Sequence, residues 1–161
     1  MQTKLRSQEK GQKGIKKAHI IGMNHIALEV DDVDAALDFY GNIFEFSLRG
    51  RHKGMAFIDM GDQFIALSEK RNQGPDVIRH FGLVVDDQKA VMERLEKLHI
   101  EILPGSFLDF MDPWGNRIQI VEYSEIQFTK APYVLKGMGL GVLEKNDEAI
   151  QELTEKGMSP K

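Results

Sequence analysis

Two stretches of the chain alternate apolar and polar residues in the same way. In the first, residues 20–30, the positions opposite the apolar face of a predicted strand include His25, Ala27 and Glu29, because side chains alternate between the two faces of a strand. The second stretch, residues 78–85, repeats the pattern, and His80 stands 55 positions after His25. The repetition indicates one structural module used twice, with a histidine at the same place in each copy.

A helix is predicted after each of these strands. An Asp-Asp pair ends each strand, and an aspartate placed there accepts hydrogen bonds from the free amides of a first helical turn. Apolar residues then recur every three or four positions, which is typical of a helix with one buried face. The predicted helices cover residues 33–43 and 88–98.

Three short strands are predicted after each helix. They cover residues 46–51, 55–60 and 63–68 in the first copy and residues 101–103, 107–111 and 117–122 in the second. Polar, turn-forming residues 71–76 link the two copies. The pattern predicts an α+β fold of two βαβββ modules, residues 20–69 and 78–123, whose strands form a cupped mixed sheet with the helices outside.

The two modules make up a single predicted domain, residues 19–123, with a segment on either side. Residues 1–18 are rich in Lys and Arg, and we expect a disordered basic tail there. Residues 124–161 form a predicted C-terminal extension that is partly helical. A short helix is expected to start at residues 130–135, and a last helix over residues 147–156 is expected to be capped by Asn146.

Composition narrows the classes of function. The 161 residues carry a formal net charge of −4, which gives no indication of nucleic acid as a partner. The absence of cysteine excludes disulfides, thiolate nucleophiles and cysteine metal sites. No apolar run approaches the roughly 18–20 residues that a membrane span needs. With no export signal evident, we expect a cytoplasmic protein without membrane or nucleic-acid partners.

Strand alternation brings four residues to the sheet face opposite the helices: His25, Ala66, His80 and Gln119. The module repeat pairs the two histidines with each other and Ala66 with Gln119. If the four strands line one concave surface, these residues converge at its centre. Glu122 lies three residues beyond Gln119, and a regular strand turns a residue at that odd spacing to the opposite face.

Four short segments carry a resemblance to a known family: Asn24-His25-Ile26-Ala27-Leu28, Phe39-Tyr40, Arg79-His80-Phe81-Gly82-Leu83 and Asp112-Pro113-Trp114-Gly115-Asn116-Arg117. With these segments in this order and at this spacing, residues 20–123 resemble the vicinal oxygen chelate superfamily. That superfamily includes glyoxalase I, extradiol dioxygenases, methylmalonyl-CoA epimerase and fosfomycin- or bleomycin-resistance proteins.

The resemblance implies a divalent metal site. Members of the superfamily bind the metal with side chains from the first and last strands of each module, which implies His25 and His80 as ligands. Gln119 would be a weak third ligand, at a position that is usually Glu, and Ala66 occupies the remaining position. Imidazole ligands suit Fe, Mn, Ni, Co or Zn.

Three further residues are candidates for binding the substrate. Arg117 shares the face of Gln119 and can hold an anion. Glu29 shares the face of His25 and is either a base or a solvated charge at the rim of the cavity. Tyr123 is predicted by strand alternation to lie on the same inward face as Gln119. No catalytic residue is assigned, because Ala66 and Gln119 leave no carboxylate in the expected places.

Two functions remain open. The first is a metal-dependent enzyme acting on a small chelating oxygenated or anionic substrate by isomerisation, lyase chemistry or dioxygenation, with the metal as Lewis acid. The second is a metal-free binding protein, similar to the bleomycin-sequestering members. The resemblance also implies a homodimer, since many members pair modules across subunits.

Overall fold

A computed structural model describes residues 18–159, so the predicted basic tail lies almost wholly outside the described residues. The first module contains β1 (His25–Glu29), α1 (Val33–Ile43), β2 (Leu48–His52), β3 (Met55–Asp59) and β4 (Phe64–Ser68). The second contains β5 (Phe81–Val85), α2 (Gln88–Lys97), β6 (Leu108–Met111) and β7 (Arg117–Glu122). A 3₁₀ turn (Tyr123–Glu125), α3 (Pro132–Gly137) and α4 (Asp147–Glu155) follow.

The strands form one sheet for each module, which confirms the predicted α+β class. The first sheet has the order β1-β4-β3-β2 and the second has the order β5-β7-β6. In both sheets the first strand of the module runs parallel to the last, and the other pairs are antiparallel. Each sheet is therefore mixed, and β1 and β5 each lie at the edge of a sheet.

Two predicted strands are shorter than expected. Residues 20–23 pair with no strand among the described residues, and Ile20 is 99% exposed. The strand predicted at 101–103 is reduced to a single bridge between Ile102 and Phe110. Pro104 follows at once and lacks the amide that would extend this pairing.

The predicted alternation and helix caps are confirmed. Leu28, Ile65 and Ile118 are buried in one core beneath the helices. Asp32 accepts from the amide of Ala35, and Asp87 accepts from the amide of Ala90, as helix N-caps do. Glu122 accepts from the amide of Gln88 at the start of α2, so it faces the helices and not the concave side.

The turn before β7 joins the modules through a buried carboxylate. Asp112 accepts from the Tyr40 hydroxyl at 2.7 Å and from Nδ2 of Asn116 at 2.7 Å. It also accepts from the backbone amides of Trp114 and Asn116. Burial, and then the adjacent carboxylate, raise the pKa of Tyr40 well above its usual value, so its hydroxyl stays protonated and donates.

The C-terminal extension connects the far end of β7 with the turn between β3 and β4. Lys130 pairs with Asp62 in that turn, and Leu135 of α3 is buried. Nζ of Lys145 donates to the carbonyl of Tyr123 at 2.5 Å. Asn146 caps α4 as predicted. Within residues 18–159 no helix is both long and apolar enough to cross a bilayer.

Removing the Tyr40 hydroxyl should destabilise the protein without altering its surface. We expect Tyr40→Phe to lower the free energy of unfolding by about 1–3 kcal/mol, because one oxygen of Asp112 then loses a hydrogen bond in a buried place. Urea unfolding of the full chain measures the change. Tyr133→Phe is the matched control, since Tyr133 is 79% exposed. Equal stability of the two variants would contradict the assigned role of Asp112.

Candidate functional site

His25 stands at the start of β1 with its ring held from two directions. The ring stacks on Phe64, its partner across the parallel β1–β4 pair, with centroids 4.7 Å apart and planes 11° apart. Nδ1 lies 2.9 Å from Oδ1 of Asn24. With Nδ1–H donating to this oxygen, Nε2 keeps its lone pair.

His80 occupies the equivalent place, immediately before β5, and is exposed. Its Nδ1 lies 2.8 Å from the carbonyl oxygen of Ile78. A carbonyl only accepts, so Nδ1 carries the proton and Nε2 of the neutral ring is free. A histidine that uses one ring nitrogen in a hydrogen bond and leaves the other free is oriented as metal-binding histidines are.

Gln119 lies beside His80, and Ala66 lies in the first module. Gln119 pairs with Gly82, two residues after His80, so it is a diagonal neighbour of His80 on the same face. Ala66 pairs with Ala27 and Phe57 and is 5% exposed. Both residues lie on the strand face that the alternation predicted, and neither residue carries a negative charge.

The two histidines lie at opposite ends of the paired modules. Glu29, at the end of β1, accepts through its carbonyl from Nδ2 of Asn116, which immediately precedes β7. His80 lies near that end, because β5 and β7 run parallel with their starts in register. His25 is about 13 Å of extended strand away from Glu29. Within residues 18–159, no three His, Asp or Glu side chains are grouped so that they could hold a metal ion.

Arg117 is occupied by a neighbouring carboxylate. Its Nε and Nη2 donate to Oδ2 of Asp109 on β6, at 2.8 and 2.5 Å, and its Nη1 donates to the carbonyl of Val77. The predicted anion-binding guanidinium is therefore already paired, and substrate binding by Arg117 stays a prediction. Asp109 was not predicted, although the module repeat aligns it with Asp59, which pairs with Arg49 in the same way.

Glu29 and Tyr123 are also held by contacts within the chain. Oε2 of Glu29 accepts from the amide of Asn72 in the linker. The strand alternation on which the prediction for Tyr123 rests stops one residue before it, because β7 ends at Glu122 and a 3₁₀ turn begins. Substrate binding by Tyr123 stays a prediction. Tyr123 is 6% exposed and lies under Lys145, whose Nζ is 3.5 Å from the ring centroid. Burial lowers the pKa of Lys145 to about 8.

The sequence also matches a family model. Residues 22–120 match the glyoxalase/bleomycin resistance protein/dioxygenase superfamily. The chain belongs to this superfamily. The matched residues run from before β1 into β7, include both histidines and stop before the C-terminal extension.

Two relatives of the chain are transferases by name. The chain is 26% identical over 115 residues to the metallothiol transferase FosB of Staphylococcus epidermidis, covering 63% of this chain and 81% of FosB. It is 26% identical over 110 residues to the glutathione transferase FosA of Serratia marcescens, covering 61% and 78%.

The fold is similar to solved structures of this superfamily. The genomically encoded fosfomycin resistance protein FosX of Listeria monocytogenes, complexed with Mn(II) and a sulfate ion, superposes with a TM-score of 0.56. The identity is 19%, and the alignment covers 74% of this chain and 99% of FosX. At this identity the likeness shows the fold.

The two Arg–Asp pairs should differ in their contribution to stability. Asp109 has a side chain that is 4% exposed, whereas that of Asp59 is 32% exposed. Arg117→Met leaves a buried charge unpaired, and we expect a loss of about 3–5 kcal/mol. Arg49→Met should cost about 1 kcal/mol or less. Chemical unfolding measures both, and a larger loss for Arg49→Met would contradict the burial argument.

Proposed function

We propose that the protein is a divalent-metal-dependent enzyme whose metal is held by His25 of one copy and by His80 and Gln119 of a second copy. The observation that carries the proposal is the exposure and the hydrogen bonding of the two imidazole rings. Both are exposed, both use Nδ1 in a hydrogen bond and both leave Nε2 free. This donor arrangement fits a divalent ion, since ligating histidines donate their other N–H to an oxygen.

A second copy is needed because one chain separates the two half-sites. His80 and Gln119 form one half, and His25 forms the other at the opposite end of the modules. β1 and β5 both lie at sheet edges, where unpaired backbone groups favour pairing with another chain. Exposed apolar residues precede both strands: Ile20, Ile21 and Met23 before β1, and Val77 and Ile78 before β5. Such residues are typical of an interface.

The donor set favours one kind of chemistry. Two imidazoles and an amide oxygen neutralise none of the charge of a divalent ion, so a bound ion would act as a strong Lewis acid on substrate oxygens. Arg117 is paired with Asp109, so an anionic or oxygenated substrate would bind mainly through chelation. The names of the relatives, metallothiol transferase and glutathione transferase, favour transfer of an external thiol, since the chain has no cysteine.

The second candidate is a metal-free protein that binds a small molecule. It is favoured by Ala66 and Gln119 at the positions where the superfamily resemblance leads us to expect metal ligands, usually Glu at the position of Gln119. The two candidates differ in one measurable property, which is stoichiometric metal binding.

Mixing two inactive variants tests both the metal and its division between copies. We expect untagged wild-type protein to bind one Mn²⁺ per chain, and His25→Ala or His80→Ala to abolish binding. In randomly mixed dimers of the two variants, about a quarter of the sites keep both histidines and should regain binding. Mn²⁺ titration after co-refolding measures this fraction.

His19→Ala is the matched control, since His19 is exposed and precedes β1. An empty wild-type site with Mn²⁺, Fe²⁺, Ni²⁺ and Zn²⁺ would favour the metal-free candidate. Full binding by wild type with no recovery in the mixed variants would place the site within one chain.

Restoring a carboxylate at position 119 should strengthen the site. We expect Gln119→Glu to tighten Mn²⁺ binding by about tenfold or more, because the carboxylate supplies the charge that the amide lacks. Isothermal titration of both proteins measures the change. Unchanged affinity would show that Gln119 does not contact the metal.

A further inference from the structure

We propose that Arg49 and Phe64 are positioning residues for His25, and that the C-terminal extension holds them in place through the turn between β3 and β4. The inference rests on the proposed function, because it treats His25 as a metal ligand. It concerns residues outside the ligand set and a segment outside the family match.

The first step is the stack beneath His25. His25 and the guanidinium carbon of Arg49 each lie 4.7 Å from the Phe64 ring centroid. The Phe64 ring therefore contacts an imidazole and a cation at the same time. The edge of Phe64 is covered by Phe57, at 5.7 Å between centroids and 84° between planes. Phe64 therefore has little freedom to rotate.

The guanidinium of Arg49 is held by three hydrogen bonds. Its Nε donates to Oδ1 of Asp59 at 2.8 Å. Its Nη2 donates to the carbonyl of Gly61 at 2.8 Å and to that of Gln63 at 3.1 Å. These two carbonyls flank Asp62 in the turn that leads into β4, so the position of the guanidinium depends on the shape of this turn.

The third step connects the turn to the C-terminal extension. Lys130 pairs with Asp62. Gly61 has φ +82°, and a Cβ there would lie 2.7 Å from Sδ of Met138 and 3.1 Å from Cγ1 of Val134. The extension therefore packs directly on the turn, and a continuous series of contacts runs from α3 through Gly61, Arg49 and Phe64 to His25.

The two histidines differ in how firmly their rings are held. Among the described residues His80 has no aromatic partner and is oriented by one backbone carbonyl. His25 has a hydrogen bond that fixes the rotation of its ring and a stack that fixes the plane. A ligand whose orientation is fixed before binding loses less conformational entropy when the metal arrives. Loss of such an outer partner typically weakens metal binding by about 10–100-fold.

Phe64→Leu tests the stack in the full-length protein. It keeps an apolar side chain but removes the ring, and we expect Mn²⁺ binding to weaken by about tenfold. Phe107→Leu is the matched control, because it makes the same substitution at a residue of the second module that is 67% exposed. Its Mn²⁺ affinity should stay near the wild-type value. Wild-type affinity in Phe64→Leu would overturn the proposal.

A metal-free readout separates this inference from the proposed function. The stacked Phe64 ring shields the ring protons of His25, so Phe64→Leu should move their NMR signals downfield in metal-free protein. The signals are assigned by their loss in His25→Ala. If wild type binds no Mn²⁺, the proposed function fails while this shift still reports the stack. If wild type binds Mn²⁺ and neither shift nor affinity changes, only the present inference fails.

The role of the extension is tested by a double-mutant cycle. We expect Lys130→Met to weaken Mn²⁺ binding by a smaller factor than Phe64→Leu. If the extension acts through Phe64, the double variant binds Mn²⁺ no more weakly than Phe64→Leu alone. Fully additive losses, or no loss in Lys130→Met, would overturn the role of the extension.

Discussion

The relative position of the two modules depends on the buried carboxylate of Asp112. It accepts four hydrogen bonds, two from backbone amides of its own turn, one from Asn116 and one from Tyr40 of the other module. Burying a charge is costly unless its hydrogen bonds are made. Asn116, held in this way, also donates to the carbonyl of Glu29 at the end of β1. The same turn therefore fixes where β1 ends relative to β7, and with it the separation of His25 from His80.

Local patterns were sufficient to predict the elements and the faces of the strands. Alternation placed Leu28 and Ile118 in the core and Gln119 on the opposite face, because neighbouring residues of one strand determine that outcome. The caps at Asp32, Asp87 and Asn146 were predictable for the same reason. The resemblance to the superfamily added the expected role of the two histidines, which periodicity could not supply.

Features that depend on contacts between distant residues could not be predicted in this way. Arg117 was predicted as an anion-binding residue from its face alone. Its partner Asp109 lies on the neighbouring strand and is reached only when the sheet forms. Strand alternation could not place Tyr123, because the strand ends one residue earlier. Residues 20–23 have the pattern of a strand but no paired strand among the described residues, and strand formation requires a partner as well as a pattern.

The duplicated modules have diverged most in what surrounds their histidines. Both histidines lie immediately before or at the start of an edge strand, as the repeat predicts. Both also leave Nε2 free. Among the described residues, the histidine of the first module alone has an aromatic stack, a cation on the stacked ring and a turn held by the C-terminal extension. The half-site with His80 instead has Gln119 beside it and a neutralised Arg117–Asp109 pair. An ion bound between copies, as proposed, would thus meet the stacked His25 on one side and His80 with the weak amide ligand Gln119 on the other. The protein's contribution to affinity would come from the orientation of its ligands, since their charge contributes nothing.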